Sequence, residues 1–157
     1  MDTAMTSRTD SDKLEMVAFK TAGQDFCIDI MSVREIRGWV PATVLPHAPE
    51  YVLGVINLRG AVVPIIDLSV RLGMGHIASN ERNVIIIVSL GGQTFGLLVE
   101  AVSDILGVDA DAVQAVPEIA DATAAAFVRG IVIGESASAR VLDVRNVLGE
   151  GAAGRVN

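Results

Sequence analysis

YVLGVINLRGAVVPIIDLSVRL, residues 51–72, consists of two aliphatic runs that meet at one short polar tip. Val and Ile branch at Cβ and suit a pleated surface, so Val52–Leu58 and Ala61–Asp67 read as the two strands of a β-hairpin. Gly60 supplies the backbone freedom of a tight turn, which puts Arg59 at the tip. Pro64 has no amide hydrogen, so its strand is expected at a sheet edge or with a bulge, and without a continuous ladder on that side. Leu68 to Leu72 then turns helical and is closed by Gly73.

With 157 residues, 51% of them hydrophobic, the chain has material for a real core, as one ordinary domain or two small ones. Its apolar residues are mainly aliphatic, with one Trp and one Tyr, and its net charge is −7. Nucleic-acid recognition through stacked aromatics or counterion release has little to draw on. Cys27 is the only cysteine, so it has no internal disulfide partner and reads as a small packing residue. Residues 1–14 are polar and read as a disordered tail with neither secretory signal nor membrane anchor, and 150–157 as a second tail. No apolar run approaches the roughly 18 residues of a membrane helix, so the expectation is a soluble, cytoplasmic protein with no direct membrane insertion.

Ahead of the central hairpin, Met16 to Ala22 and Asp25 to Ile30 alternate around Gly23-Gln24 as a first hairpin. Met31 to Arg37 reads as a short helical or irregular crossing that ends at Gly38. Pro41, Pro46 and Pro49 break up residues 40–50, leaving room for a short edge strand near Thr43 to Leu45. After Gly73, GMGHIASNE is a polar connection between two halves.

Beyond it the chain repeats itself. GQDFCIDIMSVREI at 23–36 aligns without gaps on GQTFGLLVEAVSDI at 92–105, an offset of 69 residues. At an offset of 76, YVLGVI (51–56) falls on FVRGIV (127–132) and IIDLSVRLG (65–73) on VLDVRNVLG (141–149). Two tandem units result, about 15–73 and 83–149, each of about five short strands and a closing helical turn. Units this small bury too little surface alone, so they are expected to share an apolar seam near Val33, Ile36, Val102 and Ile105. Small all-β barrels side by side suit this pattern, because closure removes exposed strand edges. Parallel α/β is disfavoured: the best helical candidates, Ala120 to Ala126 and Asp143 to Leu148, are short. The copies differ at the hairpin tip, where Asn57-Leu58-Arg59-Gly60 faces Ile133-Gly134-Glu135-Ser136, so Glu35 and Arg59 become Asp104 and Glu135.

Catalysis is poorly provided for, with His47 and His76 the only histidines and both in loop-like segments. No clustered ligands suggest a metal, and no phosphate cradle, GxSxG or Walker pattern occurs, so no cofactor is expected. A glycine inside a strand, such as Gly54 or Gly96, marks a bulge, a barrel corner or a close backbone approach.

DIMSVREIRGW, APEYVLGVINLRG, VVPIIDLSVRLG and FGLLVEAVSDIL together resemble CheW, the chemotaxis coupling protein family, over about 15–149. The resemblance implies an all-β protein with short helices, built as two tandem five-stranded SH3-like barrels. It implies a non-catalytic adaptor that links the cytoplasmic tips of methyl-accepting chemoreceptors to the regulatory domain of the histidine kinase CheA, in the cytoplasm at membrane-bound receptor arrays. Carried over by motif, the receptor-binding groove uses Val33, Gly54, Gly96, Val102 and Ile105, with Glu35 and Arg59 as a charged pair beside it. Ala42, Thr43 and Val62 belong to the kinase-facing surface. The chain departs from the pattern in the short polar hairpin GESASAR and in Trp39, where Tyr is commoner, and it ends soon after Leu148, without a kinase core or receiver. The competing reading is a small β-barrel enzyme or ligand binder.

Overall fold

A computed structural model describes residues 13–76, 81–116, 126–133 and 138–148. The first half runs β1 (Lys13–Thr21), β2 (Gln24–Asp29), a 3-10 turn (Ile30–Ser32), β3 (Val33–Gly38), β4 (Val52–Leu58), β5 (Ala61–Asp67) and α1 (Leu68–Arg71). The second runs β6 (Val84–Leu90), β7 (Gln93–Val99), β8 (Ala101–Asp109), a 3-10 turn (Ala110–Ala112), β9 (Val113–Gln114), β10 (Val128–Ile133), β11 (Ser138–Leu142) and α2 (Val144–Leu148). The helical candidate at 120–126 falls almost wholly outside the described residues, as do 134–137 of the polar hairpin and the tails, apart from Lys13 and Leu14, which open β1.

The central hairpin forms where its aliphatic runs put it. Arg59 and Gly60 join β4 to β5 with φ of 52° and 87°, the turn whose twist matches two paired strands. Pro64 lies on a strand inside its sheet and not at an edge, yet the ladder from β5 to β7 begins only at Ile65, so no amide is missed. Asp67 caps α1 by accepting the Val70 amide at 3.3 Å, and the Gly73 amide closes the helix on the Val70 carbonyl at 3.0 Å. The expected strand near Thr43 is a single bridge, with Thr43 and Val55 exchanging two backbone hydrogen bonds of 2.8 Å. Met31 to Arg37 departs from expectation: after the 3-10 turn it is an extended strand paired with β6, with a bulge between Val33 and Glu35.

The strands form a six-stranded sheet in the order β8-β1-β2-β11-β10-β9 and a five-stranded sheet in the order β3-β6-β7-β5-β4. Each sheet therefore takes strands from both halves, so the boundary at 73–83 separates repeats of sequence and not sheets. The exchange is reciprocal. Val17 pairs with Ile105 and Phe19 with Val102, while Ile86 pairs with Ile36 and Val88 with Val33, the same contacts at the repeat offset. The parallel pairings of Ile65 with Gly96 and of Val141 with Cys27 are likewise equivalent. With β8 and β9 counted as one bent strand, each sheet has the five strands of an SH3-like barrel.

Three apolar clusters follow. Ile56, Leu58, Val63, Ile65, Ile85, Ile87 and Leu98 fill one sheet's interior, and Met16, Cys27, Val132, Ala139 and Val141 the other's. Burial pushes the Cys27 thiol up to about 11, so it packs as a neutral side chain. The seam between the sheets is made by Val17, Phe19, Phe26, Ile28, Ile86, Val88, Phe95, Leu97 and Val99 with α1 and α2, not by the four residues expected there. Val33 and Val102 only flank it, and Ile36 and Ile105 are 44% and 53% exposed.

Arg71 ties the two closing helices together. Its guanidinium lies between the rings of Tyr51 and Phe127, 4.5 and 4.7 Å from their centroids. Its Nε and Nη2 donate to the Val147 and Asn146 carbonyls of α2 at 2.7 and 3.1 Å. Tyr51 and Phe127 are themselves repeat partners, and their carbonyls accept the Asp67 and Asp143 amides at 2.7 Å each.

Because each sheet needs strands from both halves, neither 13–76 nor 81–148 alone should give a cooperative thermal transition or dispersed amide resonances. Mixed together, the two fragments should recover both; a fragment 13–76 that melts cooperatively as a monomer would contradict the exchange.

Candidate functional site

β3 and the tip of the β4–β5 hairpin bring together the two charges singled out in the sequence. Glu35 Oε2 accepts from Arg59 Nη2, and Glu35 Oε1 accepts from Arg37 Nη1 at 3.2 Å, so each carboxylate oxygen is held by its own guanidinium. The Arg59 side chain is 64% exposed and that of Glu35 26%, which leaves donors of Arg59 facing outward. Arg59 above all, with Arg37 adding to it, holds the Glu35 carboxyl below the usual range against a smaller opposing effect of desolvation. Glu35 in turn raises the Arg59 guanidinium. A left-handed backbone at a side chain larger than Gly or Asn costs about 1 kcal/mol, and at Arg59 the turn tolerates it because Asn57 Oδ1 accepts the Gly60 amide at 2.9 Å.

Val33 and Val102, at repeat-equivalent places on β3 and β8, are half-buried and pack on the edge of the seam, while Ile105 stands exposed on β8. These three offer apolar surface. Gly54 and Gly96 do not: both are buried, and each is glycine for reasons of packing. A Cβ on Gly54 would lie 2.2 Å from the Thr43 carbonyl oxygen, and one on Gly96 2.6 Å from Ile65 Cδ1 and 2.9 Å from Ile85 Cγ2. Gly54 thus admits the Thr43 bridge, as Gly130 admits the backbone of β9.

Of the residues expected on the kinase-facing surface, Ala42 is half-buried against the interior of its sheet, Thr43 makes the bridge to Val55, and Val62 is 69% exposed. Val62 borders a concavity of about 440 Å³ with Leu45, Pro46, Pro49, Val52, Val55 and Pro64, and Val44 beside it is 76% exposed. Sequence reasoning did not place Val44 and Leu45 on an exposed apolar surface or Arg37 beside Glu35. The proline loop hid the first two; Arg37 could have been found from its place two residues after Glu35 in a strand, where alternate residues share a face. Among the described residues no group of three or more His, Cys, Asp or Glu is placed to hold a metal.

The family model for the CheW-like domain matches residues 15–151. The chain belongs to the CheW family. A probable chemotaxis protein CheW of Rhizobium etli is 53% identical over 131 residues, covering 83% of this chain and 84% of the relative. The chemotaxis protein CheW of Rhizobium meliloti is 55% identical over 117 residues, 74% of this chain and 76% of the relative. Among solved structures, the scaffolding protein TtCheW of Thermoanaerobacter tengcongensis superposes with a TM-score of 0.80 at 31% identity, over 88% of this chain and 94% of that one. The two-sheet arrangement is thus a CheW-family fold.

The Glu35 carboxyl should titrate below 4.5 by side-chain carbonyl NMR, and Arg59→Ala should raise its midpoint more than Arg37→Ala does. A depressed folded-state value contributes stability above the unfolded value and loses it as pH falls through the folded one. Glu35→Gln should therefore flatten the acid limb of the stability curve by slightly lowering its neutral plateau, while stability below the folded-state midpoint stays nearly unchanged. A Glu35 midpoint unmoved by Arg59→Ala would show that the pair does not persist in solution.

Proposed function

We propose that this chain is a chemotaxis scaffold, a non-catalytic adaptor that couples the cytoplasmic tips of chemoreceptors to the histidine kinase CheA. The observation that carries the reading is the match to the CheW-like domain over nearly the whole described chain, at more than half identity to a relative named for chemotaxis. The geometry supports two docking surfaces. Half-buried Val33 and Val102 and exposed Ile105 offer apolar surface on β3 and β8 that suits one face of a receptor helix, and β3 also carries Glu35, paired with Arg59. Val62 and Leu45 line the concavity on the proline-loop side, exposed Val44 precedes Leu45 in the chain, and this surface suits the kinase regulatory domain. No helix among the described residues is long and apolar enough to cross a membrane, so on this reading the adaptor is a cytoplasmic component that reaches the array through its partners.

Ile105 gives the sharpest test, because it is exposed and a charge there leaves the core untouched. Ile105→Asp should keep the melting temperature within a few degrees yet abolish co-sedimentation with receptor-containing membranes, since the helix would have to desolvate a carboxylate. Undiminished co-sedimentation of that variant would remove Ile105 from the receptor surface. The charge pair has its own test. Arg59→Glu and Glu35→Arg should each lower kinase coupling with little effect on stability, and the double exchange should recover part of the loss. A double variant no better than the worse single one would make Arg59 a direct contact to the partner.

A further inference from the structure

A second concavity, of about 360 Å³, lies between the 3-10 turn after β2 and the start of α2, and its lining shares no residue with either docking surface above. Leu90, Leu142 and Val144 of the seam cluster supply its apolar lining. The rest is polar: Asp29 and Ser32 from the first half, Arg129, Asp143 and Arg145 from the second. Both arginines are exposed, and neither has an ion-pair partner among the described residues, although two carboxylates line the same space. Each carboxylate commits Oδ1 to a backbone amide, Asp29 to that of Met31 at 2.9 Å and Asp143 to that of Asn146 at 3.2 Å. Oδ2 of each is left over, with the donors of both guanidiniums. Two charges of each sign thus border one small space without pairing to one another. The fold does not require them. Offsets of 69 and 76 carry Asp29, Arg129, Asp143 and Arg145 onto Leu98, Leu53, Asp67 and Ser69, so three of the four charges occur on this side alone. Their uncharged counterparts are covered, Leu98 and Ser69 fully buried and Leu53 packed on the interior of its sheet.

We propose that this concavity binds a small zwitterion of the α-amino-acid class, its carboxylate on Arg129 and Arg145 and its ammonium group on Asp29 and Asp143. A guanidinium donates side by side to a carboxylate, and an ammonium group donates to carboxylate oxygens, so both ends of such a ligand find the partners they need. Charge balance narrows the class. The aspartates oppose a dianion and the arginines oppose a bare cation, whereas a ligand with both charges meets the opposite sign at each end. The space is of the size of small-molecule sites, and Leu90, Leu142 and Val144 offer apolar surface to a ligand's side chain. Binding here is independent of whether receptor and kinase dock elsewhere on the chain. Exposed charges can also serve solubility alone, each separately hydrated, and the experiment separates that role from binding.

The full chain, labelled with 15N, is titrated at low salt with three probes: glutamine as the zwitterion, succinate as the dianion and putrescine as the cation. Glutamine should give saturable amide shifts at Ser32, Leu90, Arg129 and Arg145, and it should bind more tightly than either of the others. Arg129→Gln and Arg145→Gln should each weaken glutamine by about fivefold, as loss of one exposed charge contact does. Asp29→Asn and Asp143→Asn keep the oxygen that accepts each backbone amide; they should weaken glutamine and strengthen succinate. Lys13→Gln, a cation removed at the start of β1, should bind as wild type does. All five variants should melt near the wild-type temperature. If an aspartate variant proves unstable, the ranking of the three probes on the wild-type chain decides the matter without substitution. Absence of saturable glutamine shifts, or succinate bound as tightly as glutamine, overturns the inference. Equal weakening by Lys13→Gln and the arginine variants overturns it too, because net charge alone then accounts for the effect.

Discussion

The reciprocal ladders of β1 with β8 and of β6 with β3 govern the rest of the structure, because they decide which faces of the first hairpins are covered. β6 reads VIIIVSL, and its middle residues are fully buried on alternating sides. Ile85 and Ile87 face the interior of their own sheet, Ile86 and Val88 the seam. A strand apolar on both faces needs two covers, and in a chain of this size one half cannot supply both. Exchange of hairpins solves the problem twice over. The smaller features follow, including the glycines that let strands approach and Arg71 between two equivalent rings.

Much of this was legible in the sequence. The hairpin at 52–67, its turn, the capped helix after it and the repeat are local patterns, and local patterns survive whatever the tertiary pairing. The exchange was not legible, because two units aligned along a chain look the same whether their strands pair within a unit or across to the other. β3 was misread for a more specific reason. Val33 and Ile36 are spaced like neighbours on a helix, but the bulge between Val33 and Glu35 shifts the pleat, so that residues three apart both turn toward the seam side of a strand. Val102 and Ile105 repeat the arrangement beside the bulge of β1 and β8.

That misreading had a cost at the site. A helical or irregular crossing over Met31 to Arg37 gives Glu35 and Arg37 no reason to share a face, so the sequence pattern hides the second guanidinium on the carboxylate. The pair of Glu35 with Arg59 was found despite it, because the copies differ there and a difference between otherwise matching units draws the eye to function. The glycines carried over as groove residues illustrate the opposite hazard. Gly54 and Gly96 are fixed by the carbonyl of Thr43 and the side chains of Ile65 and Ile85, so a packing requirement can mark a position as firmly as a contact does.

One consequence of the exchanged hairpins concerns ancestry and symmetry. A protein consisting of a single unit could complete its sheets only by swapping its first hairpin with that of an identical molecule, so the present chain has the topology of a strand-swapped homodimer joined end to end. In such a dimer the two hairpin tips would be related by a two-fold axis and would bear the same residues. Covalent linkage lifts that restriction. It makes assembly independent of concentration, and it lets an arginine stand at one hairpin tip with no arginine at the other, so that a symmetric pair of units becomes one with two different ends.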